Sequence, residues 1–319
     1  MVMDGGLLAA ACGALAGLGA VLQGLGSAVA LASAAAPEGG GRAVARAGQG
    51  GGAWQAALGV CRAAMERGKR EAEDSSGWAL VRKWRAMMVP QRFFRHFYVI
   101  GVASFLGAFL LARGAASPPT MLCLALLSVH TARRLAETMF VQVFSPDARM
   151  HIVAYAFGLL YYVTLPFSFL SREEVLAMAA EARGGSVFSW PGGLAGRARL
   201  AAGVILYAWS SIEQSVAHWQ LAALRRGAGD GDRSRARKYF IPRGRFFELV
   251  SCPHYLFEIG LYVGLKVIQG PGVADGRTVL LMVWVVSNLL ASALSSHRWY
   301  RAKFKSYPPS RKALMPYLI

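Results

Sequence analysis

Seven stretches of this chain are apolar enough and long enough to be read as membrane crossings, and basic or small-residue segments separate them. A helical crossing takes about 20 residues, and inside hydrocarbon every backbone group has to be satisfied within the segment itself. The runs cover residues 6–36, 97–111, 121–143, 152–170, 200–221, 255–268 and 279–294. The expected fold class is therefore all-α: a multi-span helical integral membrane protein of about seven transmembrane helices. Composition agrees, since 55% of the residues are hydrophobic and only 16% are charged, against roughly 25% charged in soluble domains.

A net charge of +18 raises the question of nucleic acid, but no zinc-ligand spacing, recognition helix or RNP-like motif accompanies it. The cations gather instead in segments beside apolar runs, notably Arg67, Lys69, Arg70, Arg82, Lys83 and Arg85 within 62–95, and the stretch 225–245. Excess Lys and Arg mark cytosolic loops. With 62–95 inside, the alternation of spans puts 225–245 and the C-terminal tail inside as well, and the N-terminus in the lumen. Run 6–36 lacks the basic start of a signal peptide and reads as a retained helix. The Gly-rich residues 37–52 read as a flexible loop. Another loop follows the fourth run, with Glu173, Glu174, Glu181 and a Gly-rich stretch. The expected division is 1–95, an N-terminal span with its Gly-rich and basic loop, and 96–319, a membrane domain. No repeat is visible. Cys12, Cys61, Cys123 and Cys252 form no CxxC pair and read as small apolar fillers rather than metal ligands.

Ionisable groups within or beside spans are the candidates for chemistry, because burying them in lipid is costly. His254 and Glu258 are four apart behind Pro253, on one helical face. They either lock two helices together or present a polar face to a ligand such as a carboxamide. His218 and Arg225 are seven apart, about two turns, with Arg225 at the end of its run and suited to a phosphate. Arg133, Arg134 and Glu137 fall within two turns; Arg133–Glu137 could be only an ion pair. The last run carries Asn288 and Ser295, and residues 297–319 add His297, Tyr300, Arg311 and Lys312 around a Tyr-Pro-Pro turn. His297 is a candidate proton donor. No GxGxxG follows a strand, so a dinucleotide would have to be held by helices and loops.

Ile241-Pro242-Arg243-Gly244 with Phe246-Phe247-Glu248, Pro253-His254-Tyr255-Leu256 with Glu258, and the segment from His297 onward resemble the C-terminal domain of steroid 5-alpha-reductases. RRLAETMFVQVFS (133–145), HIVAYAFGLLYYV (151–163), HWQLAALRR (218–226) and SCPHYLFE (251–258) are similar to the polyprenol reductase branch, which makes dolichol in the endoplasmic reticulum membrane. The resemblance runs from His130 to the end. It implies an NADPH-dependent enzyme, with residues 200–319 binding the cofactor. It also implies that Glu258 contacts the nicotinamide amide, that His254 lines the same site, and that Arg225 meets phosphate with His218 beside it. Arg134, Asn288, Tyr300 and Arg311 join the cofactor site on the same grounds. Steroid-reducing members carry a catalytic Tyr where this chain has Thr131, which argues against a steroid substrate and leaves the proton donor open.

The expected reaction is saturation of the alpha-isoprene double bond of a long polyprenoid. An isolated allylic alcohol gives an incoming hydride nowhere to push electrons, whereas an alpha,beta-unsaturated aldehyde has a carbonyl to receive them. Polyprenal is thus the expected immediate substrate, with His297 first and Tyr300 second as donor, and with an alcohol–aldehyde dehydrogenase as a possible partner. The alternatives are a steroid or enoyl-thioester reductase of the same family, or a membrane scaffold or transporter. Against the last, the polar residues cluster toward one end of the runs instead of marking a midplane path.

Overall fold

The computed structural model describes residues 14, 17–21, 23–24, 87–179, 190–226, 239–270 and 276–318. Most of run 6–36, the Gly-rich loop 37–52, the basic stretch up to residue 86, Glu181 with the Gly-rich residues after it, most of the 225–245 loop, Cys12 and Cys61 lie outside these. Among the described residues, each of the other six apolar runs falls on helix. The elements are β1 (Met88–Pro90), α1 (Phe94–Ala112), α2 (Pro118–Ala136), β2 (Arg149–His151), α3 (Ile152–Thr164), α4 (Arg172–Ala179), α5 (Gly193–Arg225), α6 (Pro253–Gln269) and α7 (Gly276–Lys303).

Local chemistry sets the ends. Pro118–Pro119 and Pro253 stand in the first turns of α2 and α6, where a missing N–H costs nothing. Gly270, at φ +83°, stops α6 in a conformation that only glycine adopts freely. The His151 side chain accepts from the Val153 N–H at 3.2 Å and caps α3.

Several details differ from the sequence reading. The fold is mostly helical, as expected, but β1 and β2 add a small two-stranded antiparallel sheet with Val89 opposite Met150. Run 121–143 ends its α-helix at Ala136 and continues as a π-helical turn over Glu137–Val141. Run 152–170 is broken by a 3-10 turn at Leu165–Ser168 containing Pro166, and the chain turns by 90° into α4, where a loop was expected. The last helix runs past the end of its apolar run to Lys303, so His297 and Tyr300 lie on one continuous helix.

Among the described residues, two helices, Gln91–Ala112 and Gly276–Lys303, are apolar and long enough to cross a membrane on their own, and the bent α3–α4 pair would make a third. Helices α2 and α5 carry charged residues, and α6 has only 17 residues. The charges that separate α2 and α5 from simple spans include ones that line the cavity described below. Large apolar side chains point outward along the bundle, with Ile205 at 67% exposure and Leu110 at 57%, as lipid contact requires.

The helices pack through small residues. Helix α6 carries Gly260-Leu-Tyr-Val-Gly264, whose two glycines face α5. A Cβ on Gly264 would come within 2.9 Å of both the Gly203 carbonyl and the Tyr207 backbone nitrogen. Such spacing lets two backbones touch where lipid gives no hydrophobic drive to association. The apolar interior gathers Phe105, Leu124, Phe169, Leu265, Ile268 and Leu281.

Polar contacts tie the loops together at two separate ends. At one end, β1 pairs with β2, Arg225 donates to the Val143 carbonyl at 2.8 Å, and Arg226 to the Phe140 and Val141 carbonyls. At the other, Glu174 accepts from the Ser117 N–H and hydroxyl at 2.8 and 2.7 Å, and Gln269 donates to the Phe169 carbonyl. Arg199 reaches the Val267 and Ile268 carbonyls at 2.5 and 2.8 Å, satisfying the open C-terminus of α6.

Candidate functional site

Helices α1, α2, α3, α5, α6 and α7 enclose a cavity of about 710 Å³, inside the roughly 300–1,000 Å³ range of ligand sites. Its wall is amphipathic. Phe94, Phe97, Phe157 and Trp284 supply apolar surface, while Arg134, His218, Arg225 and Glu258 supply charge and hydrogen-bonding groups.

A buried network on one side of the cavity explains the expensive charges of α2. The π-helical turn after Arg134 keeps Glu137 facing inward, and such turns are frequent at functional sites. Glu137 pairs with Arg133 at 2.5 Å and with Arg134, and it accepts from Ser215 Oγ at 2.8 Å. His218 Nδ1 stands 2.8 Å from Glu137 and 2.7 Å from Arg134. Nδ1 thus faces a carboxylate that can only accept and a guanidinium that can only donate. Arg133 also donates to Gln214 Oε1 at 2.5 Å and to His130 Nδ1 at 3.1 Å. Gln214 passes the chain on by donating from Nε2 to Glu258, whose other carboxylate oxygen lies 3.7 Å from His130 Nε2. Breaking one member of such a network leaves a buried charge uncompensated, which typically costs about 3–5 kcal/mol.

Seven of the residues singled out in the sequence line this one cavity: Arg134, His218, Arg225, His254, Glu258, Asn288 and Tyr300. Within the 133–137 cluster, Arg133 forms the ion pair with Glu137, while Arg134 reaches the cavity wall. Arg225 also packs over the Tyr239 ring, 5.5 Å from its centroid, and Tyr239 meets Trp299 at 4.7 Å. These aromatic groups and Arg225 form the end of the cavity farthest along α5.

Two expected site residues lie outside the wall. Arg311 is 1% exposed and donates to the Pro242 carbonyl at 3.1 Å and to Glu248 at 3.2 Å, with its guanidinium over the Tyr307 ring. Its charge is used in holding residues 239–250 against the C-terminal segment, which also joins through the Val250–Lys312 bridge. His297 stands behind Ser251: its Nδ1 is 2.7 Å from Ser251 Oγ, and Ser251 lines the cavity. The Ser251 hydroxyl is shared with Tyr307 at 2.6 Å.

The sequence reading missed Gln214 and Ser215, because one amide and one hydroxyl on an apolar helix carry no signal until α2 is placed against them. It also missed the phenols. Tyr98, Tyr161, Tyr162 and Tyr262 all line the cavity. Tyr161 and Tyr262 hydrogen-bond to each other at 3.2 Å, and Tyr98 accepts from Arg134 Nη2 at 3.0 Å. The residues present suit a dinucleotide: cations for phosphates, an inward carboxylate for an amide N–H, and Gln142 on the wall with Oε1 lacking a partner among the described residues.

An apolar helical bundle around a charged, phenol-lined chamber defines a membrane-protein class with an amphipathic interior cavity. The model of the 3-oxo-5-alpha-steroid 4-dehydrogenase family matches residues 185–319. Polyprenal reductase 1 of Arabidopsis thaliana is 34% identical over 267 residues, covering 72% of this chain and 81% of the relative. Polyprenal reductase of Caenorhabditis elegans is 32% identical over 294 residues, covering 82% and 89%. The Homo sapiens polyprenal reductase is 33% identical over 264 residues, covering 74% and 79%. The chain belongs to the steroid 5-alpha-reductase family, in its polyprenal reductase branch.

Proposed function

We propose that this protein is an NADPH-dependent oxidoreductase that saturates the alpha-isoprene double bond of a long-chain polyprenal, giving dolichal. The observation that carries this reading is the amphipathic cavity. Its cationic, carboxylate-bearing wall suits a nucleotide, and its aromatic wall, inside an apolar bundle, suits an isoprenoid. The names of the relatives agree with that substrate.

When bound, NADPH would supply the hydride. The chain's part is to bind, orient and protonate. In this reading Glu258, held by Gln214, accepts the carboxamide N–H, and His254, His218 and Asn288 line the nicotinamide region. Arg225, with Tyr239 and Tyr300 beside it, takes phosphate, and Arg134 balances charge near the reacting carbonyl. The nucleotide half corresponds to residues 200–319. The surplus of cations beside the site favours the 2′-phosphate of NADPH over NADH.

The protein is read as a multi-pass protein of the endoplasmic reticulum membrane with about seven spans and a cytosolic C-terminal segment, so that nucleotide enters from the cytosol. Its product serves, after reduction to dolichol, as the lipid carrier of protein N-glycosylation. An alcohol–aldehyde dehydrogenase would supply polyprenal and consume dolichal.

The test is purified protein with NADPH, offered polyprenal, polyprenol and a 3-oxo-4-ene steroid in parallel. NADPH consumption with polyprenal alone is the expected result. Direct reduction of polyprenol would sink the aldehyde reading, and reduction of the steroid alone would move the chain to the steroid-reducing activity.

A further inference from the structure

We propose that Tyr98 is the acid that protonates the substrate carbonyl oxygen, with the Arg134 guanidinium as its electrostatic partner. This deepens the polyprenal reduction proposed above and rests on it.

The case begins with a choice among hydroxyls. Thr131, on α2 one turn before Arg134, donates its hydroxyl to the Leu127 carbonyl of its own helix at 2.9 Å, and it is buried. Tyr161 and Tyr262 share one hydrogen bond, which engages one of their two protons, and among the described residues neither oxygen accepts from a cation. Ser251 is shared among His297, Tyr307 and the Lys312 carbonyl. Tyr98 is different. Its oxygen accepts from Arg134 Nη2, its ring lies 5.1 Å from the Arg134 guanidinium carbon, and it lines the cavity. Among the described residues its own proton has no acceptor; the same holds for Tyr162 and Tyr300 on this wall, but of the three only Tyr98 accepts from a cation. A donor aimed into the chamber with a cation on its oxygen is what a carbonyl gathering negative charge needs.

Packing fixes this placement. One turn beyond Tyr98 on α1, a Cβ on Gly101 would come within 3.1 Å of Thr131 Cγ2 and 2.8 Å of the Tyr162 ring. The glycine lets α1 settle directly on α2 and α3, which brings the Tyr98 hydroxyl to Arg134. The Tyr162 ring packs edge-on against Tyr98 at 5.6 Å and holds its plane. Behind Arg134 stand Glu137 and His218, so the guanidinium is fixed from its far side.

The step balances. Hydride from a dihydronicotinamide forms the new C–H bond at the β carbon, and the dihydropyridine is oxidised to pyridinium by two electrons. The C=C π pair shifts to join the α carbon to the carbonyl carbon. The C=O π pair takes the Tyr98 proton, giving an enol and a phenolate beside Arg134. The enol then gains a proton at the α carbon from water while its O–H proton returns to Tyr98. One hydride and one solvent proton are consumed per aldehyde.

The experiment compares wild type with Tyr98→Phe in three measurements. The first is polyprenal turnover with NADPH. The second is NADP⁺ binding by titration. The third is the carbonyl stretching frequency of farnesal bound beside NADP⁺, which needs no turnover. The expected result is a kcat lower by about 10²–10⁴ with NADP⁺ affinity unchanged, and a bound carbonyl whose red-shift in wild type disappears in the variant. Equal turnover or an unchanged carbonyl frequency overturns the assignment. Should Tyr98→Phe lose NADP⁺ binding, 3-fluorotyrosine at position 98 decides. It is a stronger acid, so the alkaline limb of kcat/KM has to move to lower pH, and an unmoved limb overturns the proposal. Wild type that binds farnesal yet reduces no polyprenal overturns the underlying function instead.

Discussion

At the scale of single residues, the cavity separates groups placed to meet a ligand from groups placed to hold the fold. Glu258 reaches it and is also the end of the Arg133–Gln214 chain. Replacing it with Gln keeps the shape and removes the charge. A charge-assisted hydrogen bond is worth about 1.5–3 kcal/mol, so NADPH should bind roughly 10- to 150-fold more weakly, with the protein still monodisperse in detergent. Loss of the folded protein itself would make Glu258 a structural link only. Arg311, by contrast, is a clamp. Arg311→Ala should lower the melting temperature with or without nucleotide, by the equivalent of about 1–3 kcal/mol; an unchanged melting temperature with weakened NADPH binding would return Arg311 to the cofactor site. The clamp's partner makes it sensitive to acid. The Gly244 N–H, 2.6 Å away, holds the Glu248 carboxyl below its ordinary value of 4.5, and Arg311 and Arg243 add to this. A carboxyl depressed in the folded state stabilises above the unfolded value and loses that contribution as pH falls through the folded one. Proteolysis of residues 304–318 should therefore quicken only on acidification below the usual carboxylate range.

At the scale of elements, the contact between α5 and α6 is the one most dependent on side-chain size. Gly264 sits against two backbone atoms of α5, and neither can move aside as a flexible side chain would. Gly264→Leu should destabilise by about 1–3 kcal/mol, the cost of overpacking. Because α5 carries Gln214 and His218 while α6 carries His254 and Glu258, it should also weaken NADPH binding. Thermal unfolding and nucleotide titration of the same preparation test both; a variant as stable as wild type would show that α5 and α6 are held elsewhere. Helix α7 teaches a related point. Its apolar run ends near residue 294, but the helix continues with polar and basic residues to Lys303. A helix leaving hydrocarbon has no reason to stop at the boundary when its next turns pack, as Trp299 and Tyr300 do, on Tyr239 and Tyr307.

At the scale of the whole molecule, the contacts at each end of the bundle make a test of sidedness. The β1–β2 sheet, the Arg225–Val143 bond and the Val250–Lys312 bridge belong to segments that the charge pattern puts in the cytosol. The Ser117–Glu174 and Arg199–Ile268 bonds belong to segments it puts in the lumen. No contact in these two sets crosses between sides. In sealed microsomes, a cysteine in place of the exposed Lys305 should react with a membrane-impermeant maleimide, and one in place of the exposed Trp190 should react only after permeabilisation. The reverse pattern would invert the topology and put the nucleotide end in the lumen.

The sequence by itself determined the helical class, because runs of apolar residues have few other ways to satisfy their backbone, and it determined which polar residues were too costly to be idle. Arg134, His218, Arg225, His254, Glu258, Asn288 and Tyr300 were singled out by polarity within or beside spans together with the family resemblance, and the structure gathers them on one cavity. Tertiary structure decided what spacing along one chain cannot. Whether Arg311 faces a ligand or a neighbouring carbonyl depends on which loop lies over it. Whether His297 or Ser251 forms the wall depends on the rotation of α7 against the segment before α6. Tyr98 acquires its partner only because Gly101 lets α1 approach α2. Hydrophobic periodicity encodes where a residue sits along and around its own helix; the partner it meets is set by how closely two helices can pack, and that distance is fixed by small residues far apart in the sequence.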